Sequence, residues 1–403
     1  MTIAYNGSGR WPTMRQGNGS GRRQNQPNTP NGKTRKGYVS IVAPSHSRAL
    51  PAVTVILPIR NEEKHIQACL ETLLAQDYPA DKVEILLIDG RSTDNTRATV
   101  AQVAAQHPDR RIHLLDNPQQ IVPHALNIGI RAATADIIIR MDGHTVPAPN
   151  YITACVNALE ATGAANVGGV IGHHSDTPFG QAVAYAQSHP LGVGGAKFRY
   201  ATKGQYVDTV PFGAFRREGL EKAGLFDESL VRNQDYELNV RIRKAGGTIY
   251  LDPAIKATYT PRDTPAKLWR QYLEYGWWRV ETLRRHPDSL RWRQAVPPVF
   301  VATLALLVLA TLFTPAAALL LPALVLPYAG TLGVVAFTLR DKIPGIWRFP
   351  LAIAIMHLAW SAGFWCNILS FGRYPFQAGR PHVPDLPPDL QPPPDPTGSF
   401  VHR

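Results

Sequence analysis

The chain has 403 residues, a formal net charge of +12 and three cysteines. This length accommodates one large domain with appended segments, and the positive charge favours an anionic partner such as acidic lipid or a phosphorylated substrate. Nucleic acid is the least favoured anion, because zinc-finger spacing and an aromatic-interleaved basic face are both absent from the soluble part of the sequence. The scattered, odd number of cysteines indicates neither a disulfide framework nor a metal knuckle, which fits a reducing compartment.

The first 50 residues are rich in Gly, Asn, Pro, Arg and Ser and have no apolar periodicity. This composition predicts a disordered basic tail. Because it contains no apolar core, it does not resemble a secretory signal peptide. The tail either touches an anionic membrane surface or only adds solubility.

From residue 52 onward, short apolar strands alternate with amphipathic helices. The predicted order is strand 53–58, helix 64–75, strand 83–88, helix 95–106, strand 111–115, helix 123–133 and a strand ending at Asp142. This alternation predicts an α/β fold with a parallel sheet and right-handed crossovers. No G-x-G-x-x-G follows the first strand and no G-K-[ST] occurs, so the dehydrogenase and P-loop signatures are missing.

The strand that ends at Asp142 runs directly into Gly143 and His144. Ligands of open α/β sheets bind at the carboxyl ends of the strands. A carboxylate oxygen beside an imidazole nitrogen can hold a divalent cation that binds a diphosphate. An isolated D-G-H is more often only a polar turn, so this interpretation depends on the other motifs.

The second half of the soluble region has a less regular pattern. A strand is predicted at 167–172, a helix at 178–188 and another strand at 210–215. The Gly-rich segment 191–195 predicts either a phosphate cradle or a flexible loop under the active site, and the loop is the favoured alternative.

Four short motifs follow one another in the predicted α/β region. They are V-I-L-P-I-R-N-E at 55–62, D-G-R-S-T-D at 89–94, H-A-L-N-I-G at 124–129 and D-G-H at 142–144. In this order and spacing they resemble the nucleotide-sugar domain of family 2 inverting glycosyltransferases, which has the GT-A fold, over about residues 52–259. The D-G-x-S-T-D and D-G-H forms are most similar to the succinoglycan-type exopolysaccharide glycosyltransferases.

The resemblance implies nucleotide-sugar binding by residues at the strand ends. Asp89 and Glu62 match the family positions that contact the uracil and the ribose. Asp94 matches the last acid of its motif, but it could equally cap the helix that follows, and both alternatives stay open. The remaining residues of the implied substrate-binding set are Pro58, Arg60, Asp142 and Gln234.

The resemblance also implies a metal ion and a catalytic base. Asp142 and His144 would hold Mn²⁺ or Mg²⁺ against the diphosphate, although His144 replaces the second acid of the usual D-x-D, which leaves direct ligation open. Asp235 matches the family's E-D-x-D-L block, in which this chain has Gln234 and Glu237 in place of two acids. Inverting transfer needs one base, and Asp235 is the predicted one; the alternative is that it caps the helix reaching Arg243.

The sequence changes character after residue 262. Residues 267–285 predict a basic, aromatic-rich amphipathic helix on an anionic membrane surface. Gln271 stands where processive family members carry Q-x-x-R-W, but the rest of that signature is missing. Its absence predicts that the protein adds one sugar and does not synthesise a chain.

Three apolar runs, at about 296–313, 316–339 and 349–371, are long enough to cross a bilayer. Basic residues before the first run predict that the catalytic domain is cytoplasmic, and Arg340, Lys342 and Arg348 put the loop before the third run on the same side. Three spans would leave the Pro-rich tail outside, although Arg373 and Arg380 oppose this topology.

These features together predict the domain organisation and the activity. The predicted segments are a basic tail at 1–50, a GT-A domain at 51–262, an interfacial helix region at 263–295, transmembrane helices within 296–373 and a disordered tail at 374–403. The protein is predicted to reside in the inner (plasma) membrane and to move a single hexose from UDP-glucose to a polyprenyl-diphosphate-linked acceptor in exopolysaccharide biosynthesis. The alternatives are a polyprenyl-phosphate sugar synthase and a non-catalytic nucleotide-binding scaffold of a polysaccharide assembly complex.

Overall fold

The structure, a computed structural model, describes residues 49–340 and 345–370. The predicted N-terminal tail up to residue 48, the whole predicted C-terminal tail and the basic residues Lys342, Arg373 and Arg380 lie outside this part of the chain. The strands are β1 (Val53–Ile59), β2 (Val83–Asp89), β3 (Arg111–Asp116), β4 (Ile137–Arg140), β5 (Val146–Pro147), β6 (Asn166–His173), β7 (Gln205–Tyr206), β8 (Ala214–Arg216) and β9 (Ile249–Tyr259). The helices are α1 (Ile66–Leu74), α2 (Thr96–Gln106), α3 (Val122–Ala132), α4 (Tyr151–Thr162), α5 (Pro178–Ala186), α6 (Pro190–Val193), α7 (Arg217–Ala223), α8 (Gln234–Lys244), α9 (Pro265–Arg285), α10 (Trp292–Ala310), α11 (Leu320–Leu339) and α12 (Phe349–Leu369).

The strands form one mixed sheet in the order β3-β2-β1-β4-β8-β6-β9-β5, and β7 also pairs with β9. The prediction of a parallel sheet is confirmed for β1 to β4. β8 runs antiparallel to both β4 and β6, and β6 runs parallel to β9. As a result, β1, β2, β4, β6 and β9 all point the same way, and their carboxyl ends share one edge of the sheet.

Helices cover both faces of the sheet, as the alternation of apolar residues along the strands requires. In β1, Val53, Val55 and Leu57 pack on the side of α1, α2 and α4. Ile56 packs on the opposite side, with α3, α7 and α8. Pro58 fits in this central strand because β4 pairs with β1 only up to Ile56, so the missing proline donor faces no ladder partner there.

Two predictions in the second half of the soluble region are wrong. The strand predicted at 210–215 is reduced to β8, because Pro211 has no amide hydrogen and Phe212 has a positive φ of 47°. The segment 191–195 is not a flexible loop, since most of it forms α6. There the carbonyl oxygen of Leu191 accepts a 2.9 Å hydrogen bond from Nε2 of His357 in α12.

α9 is the helix predicted to lie on a membrane surface, and several of its aromatic residues pack inside the protein. Tyr272, Trp277 and Trp278 are buried inside the protein, whereas Trp269 remains exposed. α9 packs directly along α12, and the two helices approach closely where each has a glycine. A Cβ at Gly276 would lie 1.9 Å from the carbonyl oxygen of Trp360.

Three helical segments are long and apolar enough to cross a membrane: Trp292–Ala310, Pro315–Leu339 and Ile346–Leu369. Few residues of the first two are buried inside the protein. The third is nearly half buried, because α12 packs on α9 and on α5 of the α/β domain. Length and composition alone support the assignment of these segments as spans.

Candidate active site

The candidate site lies at the shared carboxyl edge of the sheet, just after β4. The D-G-H turn passes so close to the end of β1 that a Cβ at Gly143 would lie 2.8 Å from Cγ2 of Ile59. Only glycine lets the backbone come this near, and the turn thereby directs Asp142 and His144 to the edge. Their side chains are 24% and 31% exposed, so both can be reached from solvent.

Arg140 joins two of the predicted site residues, Asp142 and Asp235. Its guanidinium donates to Oδ1 of Asp142 at 2.9 Å and to Oδ2 of Asp235 at the start of α8. The Arg140 side chain is only 5% exposed, and its pKa is raised because the two carboxylates outweigh the effect of burial. One buried guanidinium therefore forms ion pairs with both carboxylates.

Asp235 has the environment expected of a base in one respect. Its second oxygen, Oδ1, is buried and has no hydrogen-bond partner within the described residues. Burial, together with the charge of Asp142, raises the pKa of Asp235, while Arg140 acts in the opposite direction. A carboxylate with a raised pKa and a free oxygen accepts a proton more readily than an ordinary surface aspartate.

The structure contradicts the alternative in which Asp235 caps α8. α8 begins at Gln234, and the residue at the cap position is Asn233, which has a left-handed backbone with φ of 61°. Asp235 is therefore the second residue of the helix, and its side chain turns to Arg140. Gln234 is buried beside it at the first position of the helix.

His144 is oriented by Glu62, which follows β1. Nδ1 of His144 lies 2.8 Å from Oε1 of Glu62. Burial lowers the pKa of His144, but the hydrogen bond to Glu62 and the charge of Asp142 outweigh burial, and the pKa is raised. This contact leaves Nε2 of the ring, on the other side, as the nitrogen that can bind a metal ion.

Asp89 is fully enclosed at the end of β2, with 0% of its side chain exposed. Its carboxylate accepts hydrogen bonds from the backbone and hydroxyl of Ser92, and from Nη1 of Arg97 at 2.8 Å. The position at the carboxyl edge agrees with the predicted nucleotide contact.

Asp94 is occupied by contacts within its own chain. It accepts hydrogen bonds from the backbone and hydroxyl of Thr96, at 3.0 and 2.6 Å, and from the backbone of Glu63 at 3.2 Å. These bonds satisfy the first turn of α2 and tie the loop after β1 to the loop after β2. Arg60, the last predicted substrate contact, is exposed, and its stem packs over Gly90.

Arg140 is not among the residues predicted from the sequence, because it directly follows a run of isoleucines that is typical of a purely apolar strand. Ile138 faces α3, α7 and α8, and the period of two directs Arg140 to that same face. A charged side chain near the end of a buried strand needs a partner, which was a usable signal. The partner itself is 95 residues further along the chain and could not be identified from spacing.

Comparisons with known proteins identify a family and several relatives. The model of the glycosyl transferase family 2 matches residues 54–224. The chain is 32% identical over 323 residues to the succinoglycan biosynthesis protein ExoA of Rhizobium meliloti, covering 79% of this chain and 96% of that protein. It is 30% identical over 246 residues to the dolichyl N-acetyl-alpha-D-glucosaminyl phosphate 3-beta-D-2,3-diacetamido-2,3-dideoxy-beta-D-glucuronosyltransferase of Methanococcus voltae, covering 60% of this chain and 76% of that protein.

A solved structure has the same fold. The mannosyltransferase PcManGT from Pyrobaculum calidifontis, solved with GDP-Man and Mn²⁺, superposes with a TM-score of 0.51 at 24% identity, covering 76% of this chain and 87% of that one. The fold is GT-A, as predicted. The similarity to ExoA extends over almost the whole of that relative, and the chain therefore belongs to the glycosyl transferase family 2 and is a glycosyltransferase.

Proposed function

We propose that this glycosyltransferase moves a single hexose from UDP-glucose to a polyprenyl-diphosphate-linked acceptor, with inversion, at the cytoplasmic face of the inner membrane. The observation that carries the proposal is the pair of acids on Arg140, of which Asp235 keeps one buried oxygen free. The role in exopolysaccharide assembly is supported by the name of the Rhizobium meliloti relative, and a lipid-linked acceptor by the name of the archaeal one.

In the proposed reaction Asp235 is the general base. Its Oδ1 takes the proton of the acceptor hydroxyl while that oxygen forms a bond to the anomeric carbon. The bond from the anomeric carbon to the nucleoside diphosphate breaks on the opposite face, and the bonding electrons leave with the diphosphate. Arg140 holds Oδ2 of Asp235, so the free oxygen has a fixed direction.

Donor binding is assigned to residues at the ends of β1, β2 and β4. Asp89 and Glu62 would contact the nucleoside, and Pro58, Arg60, Asp94 and Gln234 complete the proposed set. Asp94 would act mainly by holding its loop, since its oxygens are already bonded to Thr96 and Glu63. The absence of the processive signature after Gln271 supports addition of one sugar.

A divalent ion, Mn²⁺ or Mg²⁺, fits the donor set at Asp142 and His144. The described residues contain no group of three or more metal-ligating side chains, so the diphosphate would have to supply the remaining ligands. Glu62 on Nδ1 of His144 supports this fit, because metal-binding histidines usually have their other nitrogen bonded to a carboxylate or carbonyl. When bound, the ion would neutralise the negative charge that develops on the leaving diphosphate.

Membrane attachment is proposed from the three candidate spans. α10 begins, α11 ends and α12 begins on the same side if each segment crosses once. Arginines stack on aromatic rings at all three of these ends: Arg293 on Trp292, Arg340 on Phe337 and Arg348 on Trp347. Such pairs are typical of the headgroup region on the cytoplasmic side. Reporter fusions at the C-terminus test the topology, since three spans predict an external tail.

Transfer by the purified full-length protein tests the function. We expect labelled glucose from UDP-glucose to enter a lipid extracted from bacterial membranes, with a mass increase of one hexose. GDP-mannose and UDP-N-acetylglucosamine are the comparison donors, and preference for either would overturn the donor assignment. Transfer to free polyprenyl phosphate would favour the polyprenyl-phosphate sugar synthase. Tight UDP binding with neither transfer nor hydrolysis would favour the scaffold.

A further inference from the structure

Beyond the candidate metal ligands, a row of rings continues along the carboxyl edge of the sheet. The centroids of His144 and Tyr259 are 5.4 Å apart, and those of Tyr259 and His173 are 6.3 Å apart. His173 and Tyr259 are the last residues of β6 and β9, and they are partners in the register of these two parallel strands. The row leads away from Asp89 and Glu62, where the nucleotide is proposed to bind.

At the far end of the row, His173 contacts Arg199. Nη1 of Arg199 donates to Nε2 of His173, and Nδ1 of His173 lies 3.4 Å from the hydroxyl of Ser188. A guanidinium only donates hydrogen bonds, so Nε2 must be the accepting nitrogen and the ring must be neutral. Burial, together with the charge of Arg199, lowers the pKa of His173 to about 3, which agrees with a neutral ring.

A neutral histidine orients Arg199 without cancelling its charge. Arg262, which follows β9, is exposed, and within the described residues no carboxylate lies at ion-pair distance from either arginine. The nearest acid in sequence, Asp263, pairs with Lys267 at 2.8 Å. Two cations therefore lie at the site with their charge available to an anionic ligand.

Both arginines lie close to Tyr259. Arg262 follows Tyr259 by three residues, and Arg199 donates to His173, whose ring centroid lies 6.3 Å from that of Tyr259. Tyr259 is therefore a neighbour of both cations and of the candidate metal ligand His144, whose ring centroid is 5.4 Å from its own. A ligand held by the arginines would lie next to the reacting centre.

The same position adjoins the candidate membrane helices. Ser188, which contacts His173, follows the end of α5, and α5 and α6 pack on α12. Leu191 in α6 is hydrogen-bonded to His357 of α12. Through His173 and Ser188, Arg199 is thus linked to the helices that pack on α12.

We propose that Arg199 and Arg262, with the hydroxyl of Tyr259, bind the phosphate groups of the lipid-linked acceptor. The inference rests on the proposed function, since it assigns an acceptor subsite to that reaction. The nucleotide keeps its own site around Asp89 and Glu62. The recognised chemistry is a phosphate or diphosphate ester carrying an isoprenoid chain.

Binding of farnesyl diphosphate to the full-length protein in detergent tests the proposal, with UDP and Mn²⁺ present to fill the donor site. We expect Arg199→Gln and Arg262→Gln each to weaken farnesyl diphosphate binding at least about tenfold, as for loss of a charge-assisted hydrogen bond. UDP affinity should be unchanged. Arg131→Gln is the matched control, because Arg131 is an exposed arginine of α3.

Four outcomes overturn the proposal or its basis. Unchanged farnesyl diphosphate affinity in both variants would show that the arginines do not bind the acceptor. If Arg199→Gln does not fold, Arg262→Gln alone provides this test. Equal loss of UDP affinity assigns the arginines to the donor diphosphate. Inorganic diphosphate that binds as tightly as farnesyl diphosphate removes the lipid assignment. Failure of the wild-type protein to bind UDP contradicts the proposed function itself, whatever farnesyl diphosphate does.

Discussion

The acids after β2 and the acids around β4 balance their charge in opposite ways. Asp89 and Asp94 are satisfied by hydrogen bonds from their own loop and the adjoining helix and loop, from Ser92, Thr96, Arg97 and Glu63. Asp142 and Asp235 share one buried cation, Arg140, and Asp235 keeps an oxygen without a partner. The carboxylates of the first group are held in place by these bonds, whereas the second group keeps an oxygen that can accept a proton.

The difference has an energetic side. A buried acceptor without a hydrogen bond costs about 1–3 kcal/mol of stability. The fold accepts this cost at Oδ1 of Asp235 and at no oxygen of Asp89 or Asp94. Such a cost at the edge where substrates are expected is what a proton acceptor requires.

Removing divalent ions should lower the transfer rate more than any of the substitutions below. Of the two groups of acids, it acts only on the one around β4. In excess chelator we expect transfer to fall below detection, since the leaving diphosphate loses its counter-charge. Mn²⁺ should restore transfer at least as well as Mg²⁺, given the nitrogen of His144. Full transfer in excess chelator, measured with labelled UDP-glucose, would contradict the proposed role of a metal ion at this site.

Asp235→Asn should lower turnover by roughly 10²–10⁴-fold, the usual range for a general base, with UDP affinity nearly unchanged. The amide keeps the shape of the side chain but cannot accept the proton. Single-turnover assays and calorimetry with UDP separate the two effects.

Two control variants sharpen this prediction. Glu237→Gln should affect turnover much less, because Glu237 is buried against Arg241 and His286 and serves the packing of α8. A thermal shift assay would show its effect on folding. Asp227→Asn tests the other nearby acid, which pairs with Arg285 at 3.1 Å. If either control loses turnover and Asp235→Asn does not, the base is a different residue.

The first four strands could be predicted from the sequence because their order depends on local periodicity and on short crossovers. The edge that gathers Asp89, Asp142 and Glu62 follows from that order alone. β9 could not be predicted in this way, because Pro253, Asp252 and Lys256 interrupt its apolar alternation. Its position in the sheet depends on pairing with β6, far away in the chain.

The packing of α9 on α12 could not be predicted, for a related reason. An amphipathic helix carrying tryptophans and arginines has the same sequence pattern whether it lies on lipid or on another apolar helix. Whether α9 packs on another helix depends on α12, which lies far away in the sequence. Asn367 of α12 donates a hydrogen bond to the carbonyl oxygen of Trp277, 90 residues before it. The glycines at the contact, Gly276 and Gly363, were the remaining signal.

Asp89→Asn should weaken UDP binding by about tenfold, the order expected for one charge-assisted hydrogen bond, and leave the fold intact. Asp116→Asn is the matched control, because Asp116 is the other partner of Arg97, at 2.6 Å. Calorimetric titration of UDP measures both variants. Equal weakening by both would mean that Asp89 acts only through Arg97, and unchanged affinity in Asp89→Asn would refute the nucleotide contact.

The smallest effect is expected at Asp94, where two variants separate the two possible roles. Asparagine caps helices about as well as aspartate, whereas alanine cannot cap. If the contacts to Thr96 and Glu63 are the function of Asp94, Asp94→Ala should lower the melting temperature slightly and Asp94→Asn should change it even less. UDP affinity should then stay within about twofold in Asp94→Asn. A clear loss of UDP affinity in Asp94→Asn at an unchanged melting temperature would instead assign Asp94 to the nucleotide, and the edge after β2 would then contain a second acid that reserves its charge for a ligand.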